Sequence, residues 1–234
     1  MIVWPWIAGR GDWAHVQAVW DRWQSLNVGI LAFASSVVAL KIAKYNAENQ
    51  RERNFFAAKA FLPAALSELT SYFKGSAKFY KSCWASDFGI PPNFVLPDLP
   101  KEYKKVFADC IRYANPLIGD YLSRILVKLQ IHDARMRNYV DQHTNGDYLN
   151  LDKYNLITYF YKIGELHALI GKLFGFARNM NEFDSSPLNW EDFRNAYANL
   201  DIELDEIVMN HDNLEAFTMR KVDRDKSKMI FSSN

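Results

Sequence analysis

The longest uninterrupted run of uncharged residues in the chain lies close to its N-terminus. It covers the 18 residues from Trp23 to Leu40 and is bounded by Arg22 and Lys41. A helix needs about 20 mainly apolar residues to cross the hydrocarbon core of a bilayer, with a lower limit of about 17. The run therefore predicts a transmembrane helix over residues 23–41. The alternative is a buried core helix of a soluble protein.

Tryptophan is concentrated beside this run. Five of the seven tryptophans lie in the first 23 residues, at Trp4, Trp6, Trp13, Trp20 and Trp23. Indole rings favour the boundary between lipid tails and water, because the ring is apolar and its N–H donates a hydrogen bond. These five rings are predicted interfacial anchors, and residues 1–22 are a predicted Trp-rich interfacial segment.

Basic residues are unequally distributed about the predicted span. Arg10 and Arg22 precede it, whereas five basic residues follow it closely: Lys41, Lys44, Arg51, Arg53 and Lys59. The cytoplasmic flank of a membrane helix usually carries the excess of Lys and Arg. This distribution predicts that the N-terminus lies outside and that the domain after the span lies in the cytoplasm.

Small residues recur along one face of the predicted span. They are three or four positions apart, at Ser25, Gly29, Ala32, Ser36, Ala39 and Ala43. Small side chains let two helix backbones approach closely in lipid, where packing drives association. This small-residue stripe predicts a homo-oligomer that is held together by the membrane helix.

Beyond the span the apolar positions keep a helical period, and the strict alternation that is typical of strands is rare. We expect an all-α fold, in which the transmembrane helix is followed by an irregular antiparallel bundle of about five helices. The predicted cytoplasmic helical domain covers residues 42–219. A polar, frayed tail is expected over residues 220–234.

Several residues mark where helices should begin or break. Pro63 should kink or break the apolar stripe that runs from Phe55 to Trp84. Asn115–Pro116 is a typical helix start, with a capping residue before a proline at the first helical position. Asp152 is expected to cap the next helix.

Asn189, with Asp192 three residues later, predicts a further helix that extends to about Asn210. A short helix is expected from Asn213. Inward positions of the central helices include His132 and His167. We expect His167 to be a core histidine with a hydrogen-bond partner.

Composition adds few candidates for chemistry. The chain has 234 residues, 49% hydrophobic and 24% charged, and a net charge of +1, which argues against general nucleic-acid binding. Cys83 and Cys110 lie within apolar helical patterns, so we expect two buried free thiols. No zinc-ligand spacing, phosphate-binding loop or nucleophile motif is present, so we expect no metal and no cofactor. An enzymatic role is less expected than a binding role.

The segment from Arg137 to His143 resembles the motif of HEPN-type ribonucleases, which are small all-α domains that act as dimers. The resemblance implies that Arg137 would hold a scissile phosphate and that His143 would move a proton. The alternative is a basic helix C-terminus, in which Arg135, Arg137 and His143 interact favourably with the helix dipole.

A wider resemblance covers residues 23–178. It rests on Trp23-Gln24-Ser25-Leu26, Arg51-Glu52-Arg53, residues 57–67, Ala108-Asp109-Cys110-Ile111, Lys128-Leu129-Gln130 and Gly164-Glu165-Leu166-His167-Ala168. The order of these segments resembles a group of uncharacterised bacterial single-pass membrane proteins with an N-terminal span and a cytoplasmic all-α domain. It implies a bacterial inner-membrane location and no particular activity.

These patterns favour a membrane-tethered helical module that self-associates or recruits a cytoplasmic protein, with the lipid bilayer as its first partner. One alternative is a membrane-anchored HEPN-like ribonuclease that acts as a toxin or phage-defence effector. The other is an oligomeric membrane-perturbing protein.

The predicted anchor is tested by alkaline carbonate extraction of membranes that contain the full-length protein. We expect the protein to stay in the pellet, because a lipid-solvated helix is not released by the loss of surface charge contacts. Protease added to intact spheroplasts should leave the domain uncut until the membrane is opened. Release into the supernatant would contradict the anchor, and digestion in intact spheroplasts would contradict the orientation.

Overall fold

A computed structural model describes residues 12–86, 90, 94–144, 153–209 and 212–232. Within these ranges the chain forms seven helices and one short antiparallel hairpin. In chain order they are α1 Trp13–Lys59, α2 Leu62–Ala85, α3 Tyr103–Tyr113, α4 Pro116–Thr144, α5 Lys153–Ala177, α6 Trp190–Asn199, β1 Val208–Met209, β2 Asp212–Asn213 and α7 Leu214–Ser232. The all-α class is confirmed. Six helices follow α1 in the described residues, whereas about five were expected.

The chain divides into two compact units, Met1–Glu52 and Arg53–Asn234. The first contains most of α1. In the described residues one helical stretch, which begins at Val28, is long and apolar enough to cross a membrane, by length and composition alone. The most apolar run of 18 residues within it has a mean hydropathy of 1.6, and none of that run is buried. Ile30, Phe33 and Val37 are 54%, 72% and 38% exposed, so the protein's own interior does not solvate them.

The break between α1 and α2 lies where Pro63 predicts it. A proline ring clashes with the carbonyl four residues earlier and has no N–H to donate to it. That carbonyl belongs to Lys59, the last residue of α1, and α2 begins at Leu62 with the proline in its first turn. The expected stripe from Phe55 to Trp84 is therefore divided between two helices.

Two of the predicted helix starts are confirmed by their capping hydrogen bonds. The Asn115 side-chain oxygen accepts a 2.9 Å bond from the backbone N–H of Ile118, at the start of α4. Asn189 and Asp192 form a reciprocal capping box at the start of α6, with bonds of 3.2 and 2.8 Å. These bonds satisfy backbone donors that the first helical turn leaves free. The expected cap Asp152 lies outside the described residues.

The predicted extension of α6 to Asn210 is wrong, because the helix ends at Asn199. Asp201 has a φ of 55° and closes the helix in a Schellman motif. Its N–H donates to the Ala198 carbonyl at 3.2 Å, and the Ile202 N–H donates to the Tyr197 carbonyl at 3.0 Å. Beyond this point Ile202 and Ile207 remain buried, in a non-helical segment with a turn at residues 204–206 that leads to the hairpin.

The expectation of a short last helix and a frayed tail also differs from the structure. Asn213 caps α7 through a 2.9 Å bond from the Ala216 N–H, and the helix continues to Ser232. Phe217 and Val222 of α7 are buried, and Thr218 forms a buried 2.8 Å hydrogen bond with the hydroxyl of Tyr197. These contacts hold α7 in the second unit as far as Val222.

Helix α5 forms the centre of the second unit, where it packs against α2, α4, α6 and α7. Among residues 155–177 only Gly171 is exposed. A helix that is apolar nearly all round must be surrounded by other elements. Leu156, Phe160, Ile163 and Ile170 of α5 are fully buried.

Helices α5 and α6 approach each other closely at Gly164. A Cβ atom at this position would lie 2.5 Å from the ring of Tyr197 on α6. We expect Gly164→Ala to lower the free energy of unfolding by about 1–3 kcal/mol, because a buried aromatic ring would have to shift. The measurement is chemical denaturation of the full-length protein.

Gly171→Ala provides a control on the same helix, because a Cβ atom there would meet nothing within 4 Å. It should stabilise the domain by roughly 0.5–1 kcal/mol, since alanine has the higher helix propensity. Equal effects of the two substitutions would show that α5 and α6 do not pack as described.

Candidate functional site

The two residues of the ribonuclease-like segment both lie on α4. The Arg137 guanidinium donates from Nε to Asp133 Oδ2 at 3.0 Å, and its Nη2 lies 3.9 Å from Asp98. The other oxygen of Asp133 accepts a 2.9 Å bond from the Tyr72 hydroxyl. Arg137 is thus engaged in a pair of carboxylate contacts. The side chain of His143 lies outside the described residues, so its pairing with Arg137 stays a prediction.

The small-residue stripe lies on the exposed surface of α1. Gly29, Ala32, Ser36, Ala39 and Ala43 are all exposed, and a Cβ atom at Gly29 would meet nothing within 4 Å. The Ser36 hydroxyl donates to the Ala32 carbonyl at 2.8 Å, which satisfies it within the helix. The side chain of Ser25 is outside the described residues.

The predicted interfacial anchors are placed in part. Trp13, Trp20 and Trp23 are exposed on α1, before its apolar stretch. Trp4 and Trp6 lie outside the described residues. Their role as interfacial anchors stays a prediction.

A charged cluster between α4 and α5 was not predicted as a site. The carboxylate of Glu165, which is nearly buried, accepts from Lys128 Nζ at 2.8 Å and from Lys162 Nζ at 2.9 Å. Burial alone would raise the pKa of Glu165, but the charges of Lys162 and Lys128 outweigh it and leave the pKa below its ordinary value. The carboxylate is therefore ionised and holds two ammonium groups at the mouth of a cleft.

Part of this cluster has a signal in the sequence. Lys162 and Glu165 are three positions apart, which predicts that they meet on one helix face. Lys128 lies on a different helix, and only the packing of α4 against α5 brings it to the same carboxylate.

Two buried histidines lie close to the centre of the second unit. His132 is 4% exposed, and its ring meets those of Tyr72 and Tyr80 edge-on at 6.0 and 5.8 Å. His167 is also buried, which confirms its core position. The expectation that His167 is satisfied is wrong, because the Nε2 atoms of both rings have no hydrogen-bond partner in the described part of the chain. Burial lowers the pKa of each imidazole to about 4.

A buried lysine joins the end of α1 to the end of α5 within the second unit. Lys59 Nζ lies 3.7 Å from the centre of the Phe176 ring and donates to Asn179 Oδ1 at 2.7 Å. Burial lowers the pKa of Lys59. Asn179 has a φ of 57° and belongs to the Schellman motif that ends α5. The lysine thus fastens two helix ends to each other.

The cysteines lie where the sequence predicts them. Cys83 and Cys110 are free and buried, and burial raises their pKa values to about 12 and about 11. Such thiols are protonated and poorly nucleophilic at neutral pH. In the described ranges no three His, Cys, Asp or Glu side chains form a group that could hold a metal ion.

Comparison of the chain with protein-family models, with curated proteins and with solved structures finds no match. The resemblance to bacterial single-pass membrane proteins therefore stays a prediction. The described residues define an all-α protein with one candidate membrane helix.

The buried imidazole of His132 predicts a loss of stability in acid. Its folded pKa of about 4 lies below the ordinary 6.5, so the unfolded chain takes up the proton first. The contribution of this neutral ring to the free energy of unfolding is fully present above pH 6.5. It is lost as the pH falls towards 4, by up to about 3 kcal/mol. The measurement is urea denaturation of the full-length protein between pH 4 and pH 7.

His132→Gln should remove part of this pH dependence, whatever its effect on stability at neutral pH. His15→Gln is the control, because His15 is exposed on α1, and it should leave the profile unchanged. A wild-type profile that His132→Gln does not flatten would contradict the buried, neutral state of this ring.

Proposed function

We propose that this protein is a membrane-tethered helical module, which self-associates through α1 and presents its second unit to a cytoplasmic partner. The observation that carries the proposal is the exposed apolar surface of α1. Exposed apolar patches of this extent mark membrane or protein contacts. The chain covers α5 with other helices but leaves the apolar stretch of α1 exposed. A lipid bilayer supplies an apolar environment for that stretch.

Self-association is supported by the small-residue stripe. Gly29, Ala32 and Ser36 leave a shallow groove along α1, and none of their polar groups requires a partner outside the helix. A second copy of α1 could approach closely along this groove, because lipid offers no better packing for a concave helix face. The interface would place the same stripe of both copies in contact.

Tethering at the membrane raises the local concentration of the binding partners, so that weak contacts between them suffice. Two or more copies held together at the membrane would present repeated copies of the second unit to one partner. The excess of basic residues after the span supports a cytoplasmic position for this unit in a bacterial inner membrane. No described contact favours the ribonuclease alternative, since Arg137 is held by two carboxylates of its own chain.

The role of the stripe is tested by two matched substitutions in the full-length protein. Ala32→Leu fills the groove, whereas Ala34→Leu makes the same change on the opposite face of the helix. We expect Ala32→Leu to weaken self-association about tenfold, which corresponds to about 1.4 kcal/mol of lost packing. The measurement is Förster transfer between donor-labelled and acceptor-labelled copies in vesicles at a fixed ratio of protein to lipid.

Ala34→Leu should leave the transfer unchanged. Equal effects of the two substitutions, or a wild-type protein that gives no transfer, would overturn self-association through this stripe. Leakage of ions from the same vesicles, abolished by Ala32→Leu, would favour the membrane-perturbing alternative over the scaffold.

A further inference from the structure

Three basic side chains from two helices surround a small cavity between α4 and α5. Lys128 and Arg135 come from α4, and Lys162 comes from α5. The cavity has a volume of about 180 Å³, and Glu165 and His132 complete its polar lining. Convergence of like charges from separate helices raises the electrostatic free energy of the fold unless an opposite charge lies between them.

Glu165 supplies only one opposite charge. Its two oxygens are taken up by the two lysines, at 2.8 and 2.9 Å. Arg135 is exposed and forms neither an ion pair nor a hydrogen bond with another described residue. Three cations against one carboxylate leave the cavity with an excess of two positive charges. A phosphomonoester, which carries a charge of about −1.5 to −2 at neutral pH, matches this excess.

The ring of His132, which lines the cavity, also carries a buried nitrogen without a partner among the described residues. His132 Nε2 is buried and has no hydrogen bond in the described part of the chain. A neutral imidazole can donate from this nitrogen to an anionic oxygen. An unpaired buried donor destabilises the fold, so a ligand that accepts its hydrogen bond would remove this cost.

A larger cleft adjoins the cavity. It has a volume of about 570 Å³ and shares Lys128 and Glu165 with the smaller cavity. Tyr121, Tyr161 and Phe193 contribute to its lining. Its volume lies within the range of about 300–1,000 Å³ that is usual for small-molecule sites. Its aromatic lining suits the organic part of a ligand whose charged end lies in the smaller cavity.

We propose that the small cavity between α4 and α5 binds the phosphate group of a phosphomonoester, with Lys128, Lys162 and Arg135 as its cationic contacts and His132 as a hydrogen-bond donor. Glu165 holds the two lysines in place before the phosphate arrives. The phosphate belongs either to a lipid headgroup or to a soluble metabolite, because the two present the same charged group. The site lies wholly in the second unit and does not depend on self-association of α1.

The test uses the full-length protein in nanodiscs of phosphatidylcholine. Its thermal unfolding is followed while sodium phosphate replaces sodium chloride at constant ionic strength. A second set of nanodiscs contains phosphatidic acid and no added phosphate. We expect the unfolding temperature to rise by roughly 3–5 °C when the phosphate probe is at ten times its dissociation constant. A rise with soluble phosphate assigns the ligand to solution, and a rise with phosphatidic acid alone assigns it to the lipid.

Arg135→Gln combined with Lys162→Gln should abolish the rise and leave Glu165 paired with Lys128. Arg194→Gln is the control, because Arg194 lies on α6 and pairs with Glu191 at 2.6 Å, and it should keep the full rise. The imidazole nitrogen resonance of His132 in the wild-type protein gives an independent measurement that needs no variant, and the probe should shift it. The absence of any rise and of this shift, or an unchanged rise in the double variant, would overturn the proposal.

Discussion

The need to cover an apolar helix on all sides determines how this protein is organised. Helix α5 has a single exposed position between residues 155 and 177, so other elements must surround it. Helices α2, α4, α6 and α7 do so, and the second unit is the result. Helix α1 carries a comparable apolar stretch, but none of its most apolar run is buried. The same chain thus covers one apolar helix with protein and leaves the apolar stretch of the other exposed.

Complete burial of α5 also explains where polar chemistry is concentrated. Glu165 and His167 lie on this helix, and each must either find a partner inside the protein or remain neutral. Glu165 takes the first course with Lys128 and Lys162, whereas burial lowers the pKa of His167 and keeps it uncharged. The charged groups that accompany the burial of α5 therefore lie in the cleft between α4 and α5. Its excess of positive charge follows from the same packing.

Helix ends in this domain are closed by side chains as well as by backbone geometry. Asn179 and Asp201 both adopt left-handed φ values and end α5 and α6 in Schellman motifs. Glycine is the usual residue at this position, and asparagine and aspartate adopt it because their short polar side chains tolerate it. Asn179 also accepts a hydrogen bond from Lys59, so one residue both ends α5 and fastens the end of α1.

Local signals in the sequence determined the helical class, the break before Pro63, the caps at Asn115 and Asn189, and the apolar faces, because propensity, capping and periodicity act over a few residues. They could not determine where α6 ends or that α7 continues past residue 220. Those outcomes depend on a left-handed aspartate and on contacts such as Tyr197 with Thr218, which are 21 positions apart. The cluster of Lys128, Lys162 and Glu165 was likewise decided by tertiary structure, since ion pairing between helices requires their packing and not their spacing. The small-residue stripe of α1 is a property of the sequence alone, because it needs only the helical repeat.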